Sequence, residues 1–235
     1  MQSNLLTKST LAPKMDVKKM VMISMFSAIS YLSVFVFRVP VVLFLDYEVK
    51  DIIIAIAGFI LGPMASLIIS LVVSIVEMIT ISDTGPIGAL MNFISSAGFA
   101  CSAAIIYKRF KSLSGAFAGL FAGTLVMTIL MLLWNYIITP FYMGVEREVV
   151  AGMLLPVFLP YNLLKAGLNS AFTLLLYRPL SAALSGLHIL PVESRSESKL
   201  KSFTTFAIYA VTVLVIAFGI AIIVFEPLRK VIFPG

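Results

Sequence analysis

Residues 113–141 read LSGAFAGLFAGTLVMTILMLLWNYIITPF, a stretch without one charged side chain. About 20 apolar residues suffice for a helix to cross the hydrocarbon core of a bilayer, so this stretch predicts a membrane span. The rest of the chain has the same character: 60% of its 235 residues are hydrophobic and 12% are charged. Soluble domains are about 45–50% apolar and roughly 25% charged. The sequence therefore indicates an all-α, multi-pass membrane protein.

Similar apolar segments recur along the chain. The predicted spans are 18–37, 50–61, 64–81, 86–107, 113–141 and 154–176. Gly62-Pro63 is a turn signal between the second and third spans. We expect a six-helix substrate-binding bundle, flanked by other segments. The predicted division of the chain is a polar tail (1–16), the bundle (17–185), a polar linker (186–202) and an additional C-terminal hydrophobic helix with its tail (203–235).

Lysine and arginine residues predict the orientation of the bundle. They concentrate before the first span, after the fourth and after the sixth, which is one side of the membrane if each span crosses once. By the positive-inside rule that side is cytoplasmic, so we expect a cytoplasmic amino terminus in a cell membrane. The formal net charge of +6 then reflects topology and not nucleic-acid binding. The direction of the last apolar run, 203–225, stays open.

Several classes of activity find little support in the sequence. Cys101 and His188 are the single cysteine and the single histidine, which argues against a disulfide framework, a metal site and a catalytic nucleophile–base pair. The chain has no G-x-x-x-x-G-K-[ST] loop for nucleotide phosphates. A channel or secondary carrier of the ion-coupled kind often has paired repeats and embedded carboxylates. We see no duplicated halves here, and Glu77 is the one carboxylate in the interior of a predicted span, since Asp51 lies at the very start of the second.

Small residues recur at helical spacing in two spans. Gly115, Gly119 and Gly123 fall at i, i+4 and i+8 of the fifth span, and Ser24 and Ala28 form a shorter pattern in the first. Small-xxx-small patterns let helix backbones approach closely within lipid. For the glycines, both internal packing and an intersubunit contact stay open.

The sixth span carries polar side chains on one helical face. Asn162, Lys165 and Asn169 fall at i, i+3 and i+7, and Lys165 has no carboxylate within a turn of it. Lys165 lies ~16 Å into the span at 1.5 Å per residue. An ionisable residue within a span is costly and by default suggests a functional site. The alternatives for Lys165 are a pair with Glu77 or snorkelling to an interface.

A shared cavity is the interpretation that these polar groups favour. Asn135 lies in the outer half of the fifth span, and the sixth span, with Asn162 and Lys165, enters from the outer side, so all three could share one cavity that opens outward beneath the loop 44–51. Two amides and an ammonium supply mostly donors, which suits a neutral planar ligand rich in carbonyls and ring nitrogens. Aromatic side chains for stacking are Trp134, Tyr136, Tyr142 and Tyr161. Interhelical hydrogen bonds remain the alternative for each asparagine, and Glu77 could be a solvated rim residue.

Four stretches together resemble a known family. They are LDYEVKDIIIAIAGFILGP (45–63), GALMNFISSAGF (88–99), NYIITPFY (135–142) and LPYNLLKAG (159–167). Their order and spacing are similar to those of the substrate-binding S component of energy-coupling factor (ECF) vitamin transporters, of the riboflavin-specific type. The resemblance covers roughly residues 17–180. It implies a six-helix bundle that binds riboflavin near the outer face, with no catalytic activity and no cofactor.

The resemblance also implies roles for individual residues. Asn135, Asn162 and Lys165 would hydrogen-bond the polar edge of the isoalloxazine ring. Glu48, with Tyr47 or Asp51, would face the ribityl chain or its covering loop, and Asn92 belongs to the fourth-span motif. An S component for another vitamin or a nucleobase-like compound is the alternative.

The same resemblance implies protein partners. S components work with a transmembrane coupling (T) subunit and two ATPase subunits, and they touch the coupling subunit through a small-residue motif on the first helix. That motif is commonly Ala-x-x-x-Ala; here its best match is Ser24-x-x-x-Ala28. This departure makes the contact an expectation that the pattern alone does not establish.

Overall fold

The computed structural model describes residues 16–43, 45–81 and 84–186. The predicted polar tail up to residue 15, the linker after Gly186 and the predicted C-terminal helix with its tail (203–235) lie outside the described residues. The elements in chain order are α1 (Val17–Val36), β1 (Arg38–Val42), β2 (Leu45–Glu48), α2 (Lys50–Leu61), α3 (Pro63–Thr80), α4 (Gly85–Phe110), α5 (Leu113–Ile137), α6 (Thr139–Met143), α7 (Arg147–Met153), a π-helical turn (Leu154–Phe158) and α8 (Leu159–Gly186). The predicted fold class, an all-α membrane protein, is confirmed.

Five helical segments of the described chain are long and apolar enough to cross a membrane. They are Val17–Val36, Pro63–Thr80, Gly85–Phe110, Leu113–Ile137 and Arg147–Tyr177. The predicted second span forms α2, which has 12 residues and is therefore ~18 Å long. A hydrocarbon core is ~30 Å thick, so the predicted count of six crossings is not confirmed.

Helix α2 is instead a short, buried helix inside the bundle. Its middle is apolar all round and is buried from Ile54 to Phe59, and it contacts α1, α3, α4 and α8. A helix without a polar face is expected at the centre of a protein. Gly62, with a φ of 95°, makes the turn into α3, because side chains other than glycine rarely adopt that conformation. The charged first turn of α2 is consequently inside the protein.

Glycines of α5 determine how closely it approaches α4. A Cβ added at Gly119 would lie 2.5 Å from the carbonyl oxygen of Ala103, and one at Gly123 would lie 2.5 Å from that of Phe99. Both distances are below any normal carbon–oxygen contact, so the two backbones touch only because these positions lack a Cβ. For these two glycines the internal-packing alternative is confirmed.

The predicted outer loop contains a β-hairpin. Strands β1 and β2 pair antiparallel, with Arg38 opposite Glu48 and Val39 opposite Tyr47. Leu45 of the hairpin packs with Val150 of α7 and with aromatic side chains near the start of α8. The hairpin therefore covers one end of the bundle and carries two of the predicted binding residues.

Candidate functional site

A small cavity lies between the hairpin, α3, α4 and α8. Its volume open to the centre of a water-sized sphere is about 50 Å³. Its lining includes Glu48 from β2, Glu77 from α3, Asn92 from α4, and Tyr161 and Lys165 from α8. The predicted binding residues Glu48, Asn92 and Lys165 therefore come together from three separate parts of the chain.

Lys165 lies at the wall of this cavity and is 6% exposed. Its Nζ is 3.9 Å from Glu48 Oε2 and 3.9 Å from Asp51 Oδ2. No carboxylate lies within a turn of Lys165 in the sequence, but two lie near it in the structure, because the hairpin and the start of α2 fold over α8. Both separations exceed hydrogen-bond distance, so the carboxylates balance the charge of Lys165 without accepting its hydrogen bonds.

The polar face predicted on α8 is confirmed. Asn162, Lys165 and Asn169 are all buried. Asn162 Nδ2 donates to the carbonyl of Phe158 at 2.7 Å, within its own helix. Asn169 Nδ2 donates to Asp51 Oδ2 at 3.2 Å, so the lower end of the face connects α8 to α2.

Lys50 is the residue that the sequence analysis missed. It begins the second predicted span, at the edge of the charged loop 44–51, and it is 1% exposed. Its Nζ lies 2.7 Å from Glu48 Oε2 and 2.5 Å from Glu77 Oε2. Because Glu77 is 3% exposed, the solvated-rim interpretation of that residue is wrong, and its partner is Lys50 and not Lys165. The length of α2 was the available signal, since a helix too short for the bilayer places its first turn inside the protein.

Asp51 is fully buried below the cavity and does not belong to its described lining. Its Oδ1 accepts a hydrogen bond from Ser96 Oγ at 2.5 Å, and its Oδ2 accepts the bond from Asn169. These contacts link α2 to α4 and α8. Both carboxylate oxygens of Asp51 thus have protein donors, and its contact with a ligand chain stays a prediction.

Glu48 and Tyr47 of the hairpin lie close to several charged groups. Burial raises the pKa of the Glu48 carboxyl, but the ammonium groups of Lys50 and Lys165 outweigh burial and hold that pKa below its usual value. Burial also raises the pKa of the Tyr47 hydroxyl, whose oxygen is buried and has no hydrogen-bond partner among the described residues. Glu48 is consequently an ionised carboxylate facing the cavity, and Tyr47 is a neutral donor.

Asn135 does not join the cavity beside Lys165. Its Nδ2 donates to the Met131 carbonyl at 2.7 Å, and its Oδ1 accepts from Thr139 Oγ1 at 2.9 Å. The amide is thus satisfied within α5 and the start of α6, which is the hydrogen-bond alternative that the sequence left open. The described lining of the cavity beside Lys165 includes neither Asn135 nor Asn162, and a shared contact of all three residues with a ligand stays a prediction.

Aromatic side chains of the site are divided between two places. Trp134 and Tyr142 line a second cavity of about 10 Å³, which shares Met91 and Thr84 with the first. Tyr136, by contrast, is exposed, and the guanidinium of Arg147 lies 5.5 Å from the centre of its ring. Two small cavities, one charged and one aromatic, therefore adjoin at Met91.

Polar contacts of Tyr161 and Arg38 hold the hairpin together and in place. Tyr161 Oη donates to the backbone carbonyl of Asp46 at 2.6 Å, and the guanidinium of Arg38 lies 2.7 Å from Asp46 Oδ2. Arg38 Nη1 also donates to the carbonyl of Ile81 at 3.4 Å. These contacts tie the cover of the cavity to α8 on one side and to the end of α3 on the other.

The predicted partner-contact residues lie far from this site along α1. Ser24 and Ala28 line a groove between α1 and α3 with a volume of about 410 Å³. Other lining residues are mostly apolar, among them Ile23, Val72 and Val76. A helix that packed into this groove would contact small residues on one side and branched apolar residues on the other.

Comparisons with known proteins agree with this architecture. A family model described as the ECF transporter substrate-specific component matches residues 18–177. This chain belongs to that family. A solved chain from the study entitled "Structure and mechanism of the S component of a bacterial ECF transporter" is 31% identical, with a TM-score of 0.61 over 71% of this chain and 97% of that one.

Curated relatives of this ECF substrate-specific component are bacterial transporters. The riboflavin transporter RibU of Staphylococcus aureus (strain TCH60) is 32% identical over 177 residues, which is 70% of this chain and 90% of the relative. The riboflavin transporter FmnP of Bacillus subtilis (strain 168) is 30% identical over 167 residues, covering 64% and 85%. The family and these relatives are transporter components, which supports a non-enzymatic, multi-pass membrane protein.

Proposed function

We propose that this ECF substrate-specific component binds riboflavin in a pocket at Lys165 that opens to the outside, for uptake driven by ATP hydrolysis in partner subunits. The curated relatives are both riboflavin transporters by name. The observation that carries the proposal is the ammonium of Lys165, buried at a cavity wall with no carboxylate in hydrogen-bond range.

The chemistry of Lys165 fits the edge of a flavin ring. A lysine ammonium has three N–H donors and no acceptor, and burying them without partners is costly. The carbonyl oxygens and ring nitrogens of isoalloxazine accept such bonds. Glu48 and Asp51 keep the site close to neutral for an uncharged ligand. Asn92 adds a further polar group to the wall.

Riboflavin needs more room than the cavity offers. Small-molecule sites have volumes of ≈ 300–1,000 Å³, against about 50 Å³ beside Lys165. Movement of Met91, which separates the charged cavity from the aromatic one, and of the hairpin would combine the two. The flavin ring would then lie near Trp134 and Tyr142, with its polar edge toward Lys165, and Asn135 and Asn162 would exchange helix-internal bonds for ligand bonds.

Partner subunits would bind on the groove between α1 and α3. Ser24 and Ala28 leave space for a helix of the coupling subunit, and the apolar walls of the groove suit a contact within the membrane. With the cytoplasmic amino terminus that the basic residues predict, the ATPase subunits would lie on the same side of the membrane as that terminus. In this arrangement the ligand site and the coupling groove lie on different helices, apart from α3, which contributes to both.

The proposal is tested by titrating the detergent-purified protein with riboflavin and following the quenching of flavin fluorescence. We expect saturable binding, and we expect Lys165→Met to weaken it while the protein stays folded. Lys108→Met, the same change at an exposed position of α4, is the matched control and should bind normally. The proposal would be contradicted if the folded protein does not bind riboflavin but binds another vitamin or a nucleobase-like compound.

A further inference from the structure

Glu77 is a buried carboxylate of α3 in which the two oxygens have different surroundings. Oε2 accepts hydrogen bonds from Lys50 Nζ at 2.5 Å and from Asn92 Nδ2 at 3.2 Å. Oε1 is buried and has no hydrogen-bond partner among the described residues. Glu77 also lines the cavity beside Lys165.

The buried oxygen Oε1 of Glu77 is a hydrogen-bond acceptor without a donor in the part of the chain that the structure describes. Leaving a buried polar atom without a hydrogen bond is unfavourable, and more so for a charged group. Nearly all such atoms in native proteins find a partner in protein, water or ligand. Since the lone oxygen of Glu77 belongs to a residue of the cavity wall, a molecule that enters the cavity can supply the missing donor.

The rest of the site fixes this acceptor in position. Lys50 binds Oε2 of Glu77 and lies 2.7 Å from Oε2 of Glu48, so one ammonium holds two carboxylates of the cavity wall. Asn92 adds a second donor to Glu77 from α4. A carboxylate held by two partners from different helices is preorganised, and a ligand does not have to order it.

We propose that Glu77 contacts the ligand directly, with Oε1 accepting a hydrogen bond from a hydroxyl group. This inference rests on the proposed function, under which the hydroxyl belongs to the ribityl chain of riboflavin. The two residues then contact different parts of the ligand. Lys165 donates to the acceptor-rich edge of the ring, and Glu77 accepts from the donor-rich polyol. The site thereby selects a ligand that carries both kinds of group.

The test compares riboflavin with lumiflavin, which has the same ring system and a methyl group in place of the ribityl chain. Binding of both ligands is measured by fluorescence quenching for the wild type and for Glu77→Gln. A glutamine side chain is nearly isosteric and can still accept from Lys50, but it is uncharged and a poorer acceptor. We expect riboflavin to bind about 10- to 100-fold more weakly, since hydrogen bonds to charged groups are the stronger ones, and lumiflavin to bind within about 3-fold of the wild type.

Equal losses for both ligands would overturn the assignment, because they would show a structural role or a contact with the ring. Unchanged riboflavin binding would also overturn it. Glu148→Gln, an exposed change on α7, is the control for the substitution chemistry. If Glu77→Gln does not fold, Lys50→Gln combined with Glu77→Gln removes both charges of the pair, and its loss of riboflavin affinity relative to the wild type is compared with its loss of lumiflavin affinity. A wild type that binds no flavin refutes the proposed function itself, so the two failures are distinguishable.

Discussion

The two buried lysines of the site differ in what holds them, and this difference gives a quantitative prediction. Lys50 makes short contacts of 2.7 and 2.5 Å with Glu48 and Glu77. Lys165 lies 3.9 Å from its nearest carboxylate oxygens, on Glu48 and Asp51. We therefore expect Lys50→Met to reduce mainly the stability of the protein, and Lys165→Met to reduce mainly its affinity for riboflavin.

The expected stability changes follow from what each substitution leaves behind. Removing one partner of a buried, hydrogen-bonded ion pair costs about 3–5 kcal/mol, and Lys50→Met would leave Glu77 with Asn92 as its one remaining partner among the described residues. For Lys165, an attraction of about 4 kcal/mol per pair at this separation is offset by a desolvation penalty of several kcal/mol. After Lys165→Met, Glu48 would still have Lys50.

The expected affinity change follows from the bonds that Lys165 has left to make. A hydrogen bond to a charged group contributes about 1.5–3 kcal/mol, so Lys165→Met should weaken riboflavin binding by about 10- to 150-fold. Fluorescence quenching measures the affinity, and the melting temperature in the same detergent measures the stability. Lys165→Met protein with wild-type affinity, or with a melting temperature lowered as much as that of Lys50→Met, would refute this reasoning.

Three further changes test the coupling groove, the helix packing and the hairpin. Ala28→Trp should fill the groove between α1 and α3 and abolish uptake by the assembled transporter while riboflavin affinity stays normal; uptake at the wild-type rate would remove this groove from the proposed interface. Gly119→Ala should lower the melting temperature, because its Cβ would lie 2.5 Å from a backbone oxygen of α4. Gly152→Ala, with nothing within 4 Å, is its matched control, and equal effects would contradict the packing argument. Tyr161→Phe removes the 2.6 Å bond to the hairpin carbonyl and should speed riboflavin dissociation several-fold in stopped-flow fluorescence, whereas an unchanged rate would show that this bond does not hold the cover.

Helix positions were largely predictable because lipid imposes a simple pattern. The second predicted span coincides with α2 at both ends, Lys50 and Leu61, since a charged residue and a Gly-Pro turn bound a purely apolar run. Glycines spaced by four residues predicted a closely packed face on α5, and the structure shows that this face meets α4. In each case a local signal of composition or spacing determines the structure, and no distant contact is needed to interpret it.

Contacts within the site were less predictable because they join residues far apart in sequence. Asp51 and Asn169 form a hydrogen bond although they are 118 positions apart in the sequence. The residues around Lys165 give no local signal that Glu48 and Asp51 will lie over it. The hairpin was also missed, because Pro40 and the short strands give a weak signal in a segment that otherwise resembles a loop. Sequence therefore identified the buried polar face of α8, but it missed Lys50 and did not show which of the buried polar residues pair.

The balance of charge in the site explains why one lysine serves the fold and the other the ligand. Glu48, Asp51 and Glu77 supply three negative charges, and Lys50 and Lys165 supply two positive ones. Lys50 lies between Glu48 and Glu77 and contacts both of them. Lys50 therefore balances part of the charge of Glu48 without Lys165. Glu48 accordingly lies 2.7 Å from Lys50 and 3.9 Å from Lys165. If Lys50→Met protein is stable enough to study, Glu48 should move toward Lys165 and occupy its donors, and riboflavin binding should weaken although Lys165 itself is unchanged.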